Sequence, residues 1–349
     1  MLLANESRTI SFGFFTNNLV KSGSKLPFII RLRNRDPKYN IEQALGLVMP
    51  SIVNTSTVAQ GWDTPVNVMM TVPVANVDVD IPQGKMDRPH AIGLVIGNSE
   101  YNNLPAVKYA INDARVMKDY LVKTLGYAAH QVKYVENMKY PEFNRWFGNK
   151  KNNYRGDLYD LVELEKSVSQ NIEVFIYYSG HGAPSLKNHR AYLIAKDTNL
   201  AYLESGEAYE LNDFYNSIKA LGLDDVTVVL DACFSGNYDS GPLYKGISPA
   251  ALKTRSIKPS SLKNMTVITS ASENEVSYWY PEARHSLFTY YFLKGIRGEA
   301  DANKDHKITT NEIMNYVKYG VGRYTLDNKK ASKQTPKLYG LKNRVLTRF

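Results

Sequence analysis

Two short polar turns, each directly after an apolar run, constrain this chain more than any other feature. The runs span 172–176 and 226–230, and the turns that follow them read Tyr177-Tyr178-Ser179-Gly180-His181-Gly182 and Asp231-Ala232-Cys233-Phe234-Ser235-Gly236. Apolar runs bounded by turn residues are typical of buried strands in a parallel sheet. Because functional groups cluster beyond the carboxyl ends of such strands, we expect His181 and Cys233 to emerge at one sheet edge.

The single cysteine of the chain and one of its six histidines therefore form a candidate catalytic pair. A thiol next to an imidazole supplies the nucleophile and the general base that acyl transfer requires, since the imidazole can take the thiol proton and return it to a leaving amine. Gly182 and Gly236 keep the following backbone uncrowded, so amide N–H groups can face a developing oxyanion. The competing interpretation is that Cys233 is an inert, small hydrophobic residue in the core.

Length and composition limit the classes of protein that this sequence can encode. With 349 residues we expect one large domain or two unequal ones, and 43% hydrophobic with 22% charged residues is ordinary for a globular protein. A single cysteine excludes an internal disulfide, and no apolar stretch reaches the roughly 18–20 residues that span a bilayer. No signal peptide is visible, so a cytoplasmic location is expected, although an N-terminal truncation would hide a signal.

Residues 1–85 and 86–349 differ in pattern, which predicts two domains. Apolar and other residues alternate over 66–74, so we expect residues 1–85 to form a small β-rich accessory domain. The sequence does not indicate the function of this domain. From His90 onward, strand patterns alternate with helical ones, which predicts an α/β fold with a mostly parallel sheet and helices on both faces. The predicted strands are 91–96, 132–135, 172–178, 226–230 and 265–269, and the predicted helices include 105–125, 212–221 and 285–296.

The two turns resemble those of the caspase-like cysteine peptidases of family C14, and within them the metacaspase and bacterial caspase-like branch. The resemblance covers about residues 90 to 340, and its other motifs are Ala91-Ile92-Gly93-Leu94-Val95-Ile96-Gly97-Asn98 with Tyr101, Ile111-Asn112-Asp113-Ala114 and Phe288-Thr289-Tyr290-Tyr291. It implies a caspase-like three-layer sandwich with a central sheet flanked by helices. It also implies that His181 is the general base, that Cys233 is the nucleophile, and that the amides of Gly182 and Cys233 form the oxyanion hole.

The sequence departs from true caspases two residues before the cysteine. True caspases place glutamine there and bind a substrate aspartate with arginines, whereas this chain has Asp231 and no arginine in 277–280. The metacaspase branch uses acidic pocket residues, and the resemblance assigns that role to Asp113 and Asp231, with Ser179 alongside. A guanidinium or ammonium group suits carboxylates, whereas a substrate aspartate would meet like charge. The competing interpretations are that Asp113 is a solvated helix residue and that Asp231 caps the loop.

The predicted activity is therefore a cysteine-type endopeptidase that hydrolyses protein or peptide substrates after Arg or Lys, with no required cofactor. The first alternative is a catalytically silent scaffold or binding module with a caspase fold. The second alternative is another thiol enzyme, such as a tyrosine phosphatase. A tyrosine phosphatase requires an arginine in a phosphate-binding loop shortly after the cysteine, and Asn237-Tyr238-Asp239 contains no arginine.

A long loop, 237–263, separates the cysteine turn from the strand predicted at 265–269. Loops of this length inside compact domains are typically functional or disordered. If the pocket accepts basic residues, this loop is a candidate for self-cleavage, and a mobile lid that is never cut is the competing interpretation. The candidate cleavage residues are Lys245, Lys253, Arg255, Lys258 and Lys263.

Residues 301–312 fit the twelve-residue pattern of an EF-hand calcium loop, with Ile308 as the apolar residue at position 8. The candidate calcium ligands are Asp301, Asn303, Asp305, Lys307, Thr309 and Glu312. His306 departs from the pattern, because glycine serves the sharp turn at position 6. The competing interpretation is a capping box, in which Thr309 and Glu312 start a helix.

Most of the net charge of +9 lies in the C-terminal segment, which could bind an acidic partner. From Ile313 to Phe349 there are nine Lys or Arg and one acid, a balance of +8. A basic tail can bind nucleic acid, but aromatic residues are not interleaved as in a stacking platform. We therefore expect a solvated strip that packs on the main domain, with no nucleic-acid or membrane partner. The oligomeric state is not indicated.

Overall fold

The structure is a computed structural model that describes residues 25–32, 41–48, 74–235, 237–238, 241–243, 265–272, 275–327 and 333–349. The chain divides into two compact units, Met1–Val74 and Ala75–Phe349. In the first unit, strands β1 (Lys25–Leu32) and β2 (Ile41–Val48) pair antiparallel. Residues 66–73 of the alternating pattern lie outside the described residues, so the strand expected there stays a prediction.

The second unit contains a large sheet, several short ladders and the helices that cover them. Its strands are β3 (Ile92–Gly97), β4 (Val132–Glu136), β5 (Val174–Ser179), β6 (Gly182–Pro184), β7 (Ala191–Leu193), β8 (Tyr209–Glu210), β9 (Val226–Asp231), β10 (Asn237–Tyr238), β11 (Gly241–Pro242), β12 (Met265–Thr269), β13 (Trp279–Tyr280), β14 (His285–Ser286), β15 (Lys307–Thr309), β16 (Lys337–Gly340) and β17 (Val345–Arg348). Its α-helices are α1 (Ala110–Lys123), α2 (Tyr140–Phe147), α3 (Asp157–Lys166), α4 (Leu211–Ala220), α5 (Leu287–Lys294) and α6 (Thr310–Asp327). Short 3₁₀ turns span Ala129–Gln131, Lys150–Asn152 and Leu200–Ser205, and a π-helical turn spans Gly295–Glu299. Among the described helices, none combines the length and apolarity needed to cross a membrane.

The largest sheet in the described part of the chain has six strands, in the spatial order β16, β12, β9, β5, β3, β4. Neighbouring strands from β12 to β4 are parallel, and β16 runs antiparallel at one edge. Strands that are buried on both faces need apolar residues along their whole length, which matches the Val, Ile and Leu content of β3, β9 and β12. The prediction of a mostly parallel sheet is confirmed.

Alternate residues of these strands face two different layers of helices. Leu94, Ile176 and Val228 belong to a buried cluster that includes side chains of α2, α3 and α4. On the other face, α1 packs against β3 and β5, and α5 packs against α1 and α6. Gly97 permits the close approach of α1, since a Cβ there would lie 2.7 Å from the Ala110 carbonyl oxygen. The predicted three-layer sandwich is therefore confirmed.

Helix α1 begins at Ala110, later than the start predicted at Pro105. The intervening backbone is bonded elsewhere, because the Val107 N–H donates to the Ser99 carbonyl at 2.9 Å and Ser99 Oγ donates to the Val107 carbonyl at 2.8 Å. These bonds hold the segment as a loop beside the end of β3. The Pro105 carbonyl consequently bonds a side chain instead of a helical N–H, as described below.

Candidate functional site

The histidine turn after β5 is held by a tyrosine from the loop that follows β3. The N–H of His181 donates to Tyr101 Oη at 2.8 Å, and Tyr101 Oη donates to the Asn98 carbonyl at 3.1 Å. The centroids of the Tyr101 and His181 rings are 4.6 Å apart. His181 is 1% exposed, so its imidazole lies in a packed, water-poor environment.

The protonation state of His181 follows from its hydrogen bond and its burial. Its Nε2 lies 2.7 Å from the Pro105 carbonyl oxygen, which can only accept, so Nε2 carries the hydrogen. In the neutral ring the lone pair is then on Nδ1. Burial lowers the pKa of His181 to about 4, although the bond to Pro105 opposes that shift. At neutral pH the ring is therefore an uncharged imidazole whose basic atom is Nδ1.

The cysteine turn after β9 is also buried, and Cys233 is 1% exposed. Its Sγ accepts the N–H of Ser277 at 2.6 Å and donates to the Glu275 carbonyl at 3.5 Å. Burial raises the pKa of the Cys233 thiol to about 12, and the Ser277 N–H opposes that shift only in part. The resting sulfur is therefore a neutral thiol.

The two turns contact each other beyond the ends of adjacent parallel strands. Ser179, the last residue of β5, pairs in register with Asp231, the last residue of β9, and the Gly180 N–H donates to the Asp231 carbonyl at 3.2 Å. A Cβ on Gly182 would lie 2.9 Å from the Cys233 carbonyl oxygen and 2.6 Å from the Phe234 ring. The backbone next to the histidine therefore lies directly against the backbone of the cysteine.

The two carboxylates assigned to a pocket are both buried beside this edge. Asp113, in the first turn of α1, is 1% exposed, and Asp231 is 5% exposed. Neither is a solvated residue. The side chain of Asp231 accepts from Thr289 Oγ1 at 2.6 Å, from Ser277 Oγ at 3.3 Å and from Ser286 Oγ. Burial and the charge of Asp113 raise the pKa of Asp231 to about 6, so it is ionised at neutral pH.

Ser286, the N-cap of α5, links the two carboxylates. Its N–H donates to Asp113 Oδ2 at 3.2 Å, and its Oγ donates to Asp231 Oδ2. The same Oγ accepts the N–H of Thr289 at 3.0 Å, so the N-terminus of α5 is directed at both acids. Ser179 is 1% exposed and lies next to this group through its register pair with Asp231.

His285 supplies a cation to the same group. It is fully buried, with Nδ1 2.6 Å from Asp113 Oδ1 and Nε2 2.6 Å from Asp78 Oδ1. Burial opposes a charge on the ring, but the hydrogen bonds and charges of Asp113 and Asp78 outweigh it and raise the pKa of His285 to about 9. Burial raises the pKa of Asp113, and the adjacent His285 offsets part of that shift. At neutral pH, His285 is an imidazolium between two carboxylates.

A segment after β12, which we call the covering segment (275–278), lies over the thiol. Besides the Ser277 contact to sulfur, the Glu275 carboxylate accepts from the N–H of Thr335 at 2.5 Å and from its Oγ1 at 2.8 Å. Gln334 accepts the Tyr278 N–H at 3.1 Å and donates to Ser277 Oγ at 3.1 Å. Two side chains ahead of β16 therefore anchor the segment that buries the sulfur.

The five candidate cleavage residues of the 237–263 loop lie outside the described residues. They are Lys245, Lys253, Arg255, Lys258 and Lys263. At the start of the loop, β10 and β11 pair antiparallel, and Leu243 is buried against Ala183 and Tyr192. The loop therefore begins beside β6 and β7, which follow the histidine turn.

The candidate calcium loop forms a turn on its own side chains. The Asp301 carboxylate accepts the N–H groups of Asp305 at 3.2 Å and His306 at 3.0 Å, and His306 has a left-handed φ of +60°. The capping box is present, because the Thr309 N–H donates to Glu312 Oε2 at 3.0 Å and the Glu312 N–H donates to Thr309 Oγ1 at 3.2 Å. Across the described ranges, no three His, Cys, Asp or Glu side chains converge as a metal site would require.

The remaining candidate ligands belong to the same turn. Asn303 Oδ1 accepts the Asp305 N–H at 3.0 Å, and the Lys307 N–H donates to Asp305 Oδ1 at 2.9 Å. Glu312 Oε1 is buried without a hydrogen-bond partner. These oxygen donors suit the chemistry of calcium, and calcium binding stays a prediction.

Several residues of the site were not predicted from the sequence. The Pro105 carbonyl has no signal in the sequence, because a backbone group can be used at any residue. Asp78 is far in sequence from Asp113 and shares no local pattern with it. A signal does exist for His285 and Ser286, since a polar pair that opens an otherwise apolar helix indicates a cap with a buried partner.

Comparisons with known proteins give the family. The caspase domain model of the C14 peptidases matches residues 90–346. The crystal structure of caspase-1 from Spodoptera frugiperda is 18% identical with a TM-score of 0.48, and the match covers 79% of this chain and 98% of that one. A structure of pro-sf-caspase-1 is also 18% identical with a TM-score of 0.48, and covers 78% of this chain and 96% of that one. No curated protein matches significantly. Since the family match extends over most of the sequence, this chain belongs to the caspase domain family of cysteine peptidases.

Proposed function

We propose that this chain is a cysteine endopeptidase that cleaves peptide bonds after Arg or Lys. Cys233 is the nucleophile and His181 is the general base and acid. The backbone amides of Gly182 and Cys233 are the oxyanion donors. Asp113, Asp231 and Ser179 form the pocket for the basic side chain of the substrate.

One observation carries the proposal: the strand register brings the histidine turn, the cysteine turn and Asp231 to one sheet edge, and Ser286 joins Asp113 to Asp231. The pairing of Ser179 with Asp231 sets His181 and Cys233 two residues beyond the ends of adjacent strands. Ser286 bonds Asp113 and Asp231 together, so the acids form one anionic group. A nucleophile, a base and an anionic pocket at one place are what cleavage after a basic residue needs.

In the proposed reaction the sulfur of Cys233 attacks the scissile carbonyl carbon while His181 Nδ1 accepts the thiol proton. The bond between His181 Nε2 and the Pro105 carbonyl holds the ring in the tautomer that this step needs, and it stabilises the imidazolium that forms. The tetrahedral oxyanion is bound by backbone amides. His181 then returns the proton to the leaving amine, and water hydrolyses the thioester.

The charge of the site supports a preference for cations over anions. At neutral pH, Asp231 is ionised and buried. A substrate guanidinium gains charge-assisted hydrogen bonds there, whereas a substrate aspartate meets like charge in a poorly screened site. Discrimination by charge repulsion of this kind disfavours cleavage after Asp.

The burial of the thiol favours one alternative, a catalytically silent protein with a caspase fold. The pKa of Cys233 is raised to about 12, and the covering segment lies over the sulfur. Catalysis from this conformation requires that the segment moves when substrate binds. A protein in which it never moves would be a scaffold.

A covalent probe separates these two functions. We expect an arginyl chloromethylketone peptide to add once per chain, as seen by intact mass, and to add to Cys233. The matched aspartyl reagent and the Cys233→Ala variant are the controls, and both should remain unlabelled. Wild-type protein that takes up no arginyl reagent would support the scaffold and count against the peptidase.

Two further proposals concern segments outside the dyad. We propose self-cleavage in the 237–263 loop, since the loop carries basic residues and its Leu243 packs against the strands that follow the histidine turn. Purified enzyme that stays a single band on a denaturing gel while it cuts an arginyl peptide would rule this out.

We also propose calcium binding at 301–312, supported by the oxygen donors of Asp301 and Glu312. Calorimetry should show heat with millimolar calcium that Asp301→Ala abolishes, and no heat in wild type would exclude the site.

A further inference from the structure

His285 is positioned to control the charge of the proposed pocket, and its contacts define how. Both of its ring nitrogens face carboxylate oxygens at 2.6 Å, Asp113 on one side and Asp78 on the other. A carboxylate only accepts hydrogen bonds, so both nitrogens must donate, and only the imidazolium has two N–H groups. With both acids ionised, the geometry therefore assigns a positive charge to a fully buried ring.

We propose that His285 sets the charge of the substrate pocket by neutralising Asp113, so that Asp231 alone offers an unneutralised charge to the basic side chain of the substrate. This inference rests on the proposed function. It makes His285 a specificity-determining residue that acts through the carboxylate it binds. It also assigns different tasks to the two acids, since Asp113 holds the imidazolium while Asp231 binds the substrate cation.

The hydrogen bonds around the two acids agree with this division of roles. Asp113 receives an ionised donor from His285, whereas the donors to Asp231 are the neutral hydroxyls of Ser277, Ser286 and Thr289. A neutral hydroxyl leaves the charge of a carboxylate in place, whereas an imidazolium cancels it. Asp78, on the other side of the ring, is partly exposed and is also acted on by Arg115. The buried part of the group, with Asp113, Asp231 and the imidazolium, has a net charge of −1, which one arginine or lysine compensates.

Among the residues that the structure describes, the other charged and titratable groups around His285 do not supply a second cation at its ring. Asn112, from α1, is neutral and lies 3.5 Å from His285 Nε2. Arg115, also from α1, acts on Asp78 from a distance, and Tyr177, from β5, interacts with Asp113 and Asp231 with a raised pKa that keeps it neutral. The raised pKa of His285 is consistent with the geometry.

The test is the pH dependence of a selectivity ratio. The substrates are two peptides that differ only in arginine or its uncharged isostere citrulline before the cleaved bond. The ratio of their kcat/KM values cancels the ionisations of the dyad and reports the pocket charge. In wild type we expect a flat ratio between pH 7 and pH 8, and a rise in the ratio as the pH approaches the pKa of His285, about 9. His285→Asn keeps an amide that can bond Asp113 but removes the charge, and at pH 7.5 we expect its ratio to exceed that of wild type by about tenfold, the difference between a charged and a neutralised partner.

Controls keep the outcomes distinct. His130→Asn, on an exposed turn, should behave like wild type. An unchanged or lower ratio in His285→Asn would overturn the proposal, whereas a wild type that cleaves neither peptide would refute the proposed function instead. An independent readout uses the full chain with Cys233→Ala. We expect ¹⁵N NMR to show both ring nitrogens of His285 protonated at pH 7.5, and a neutral ring there would overturn the proposal even if the His285 variant fails to fold.

Discussion

Burial decides the protonation states of His181 and Cys233. It lowers the pKa of His181 to about 4 and raises the pKa of Cys233 to about 12, so the resting pair is a neutral imidazole and a neutral thiol. His285 is the exception, because two carboxylates outweigh its burial. Burial therefore suppresses charge on His181 and Cys233, whereas two carboxylates overcome the effect of burial at His285.

The charge of His285 should appear as a pH dependence of stability. Its pKa is about 9 in the folded chain and 6.5 without the fold, so its contribution is full below pH 6.5 and is lost as pH rises through about 9. The shift corresponds to about 3 kcal/mol of unfolding free energy. Urea unfolding of the Cys233→Ala chain should show a decline across this window. The decline should persist in the additional variant His130→Asn and disappear in His285→Asn, and an equal decline in both would contradict the assignment.

Gly182 should tolerate no side chain. A Cβ at this position would lie 2.6 Å from the Phe234 ring and 2.9 Å from the Cys233 carbonyl oxygen, so Gly182→Ala must displace the turn that carries the proposed oxyanion donor. We expect kcat/KM for an arginyl peptide to fall about 100-fold, because misplaced donors lose most of their effect. Gly322→Ala in α6 is the matched control, since its Cβ meets nothing within 4 Å. Wild-type kcat/KM in Gly182→Ala would show that the turn takes no part in catalysis.

At the scale of elements, the covering segment connects the thiol to the region ahead of β16. Thr335 holds the Glu275 carboxylate, and Gln334 holds the Tyr278 N–H and Ser277 Oγ. Ser277 in turn donates to the sulfur. Access to Cys233 therefore depends on hydrogen bonds made far from it along the chain.

Loosening this anchor should expose the sulfur. Thr335→Val removes a hydroxyl that donates to the Glu275 side chain at 2.8 Å, and a hydrogen bond to a carboxylate contributes about 1.5–3 kcal/mol. We expect alkylation of Cys233 by iodoacetamide to become about tenfold faster, as followed by mass spectrometry. Thr325→Val, whose hydroxyl bonds only the Gly322 carbonyl among the contacts described for α6, is the control. Equal alkylation rates in the two variants would mean that another motion limits access.

Strands and helices could be predicted where the residues that define them lie close together in the sequence. Apolar runs such as 226–230 indicated the parallel strands, because a strand buried on both faces has a composition that few other segments share. Helix α1 was placed too early, because the bonds between Val107 and Ser99 override the signal of Pro105. The ion pair of His285 with Asp78 was not predictable, since partners so far apart in sequence are brought together only by the fold.

At the scale of the whole molecule, residues 75–85 pack as part of the second unit. Val77 is buried, and its carbonyl accepts from Tyr120 Oη at 3.0 Å. Thr124 Oγ1 donates to the Pro82 carbonyl at 2.7 Å, and the Gly84 N–H donates to the backbone of α1. Pro82 and Gly84 are thus both fixed to the C-terminal end of α1.

Truncation should reveal the role of these residues. We expect residues 75–349 to unfold cooperatively, and residues 86–349 to be less stable by at least about 2 kcal/mol, because the shorter piece loses the burial of Val77 and the Asp78 partner of His285. Both pieces would carry Cys233→Ala and be compared by urea unfolding. Equal stability would show that residues 75–85 are dispensable.

In the proposed function, the sulfur of Cys233 attacks peptide bonds that follow a basic residue held in an acidic pocket. The most direct measurement is a peptide-library cleavage profile of the wild type beside Cys233→Ala. We expect wild-type cleavage almost entirely after arginine and lysine, and none in the variant. Cleavage after aspartate, or cleavage that survives the loss of the sulfur, would contradict the claim.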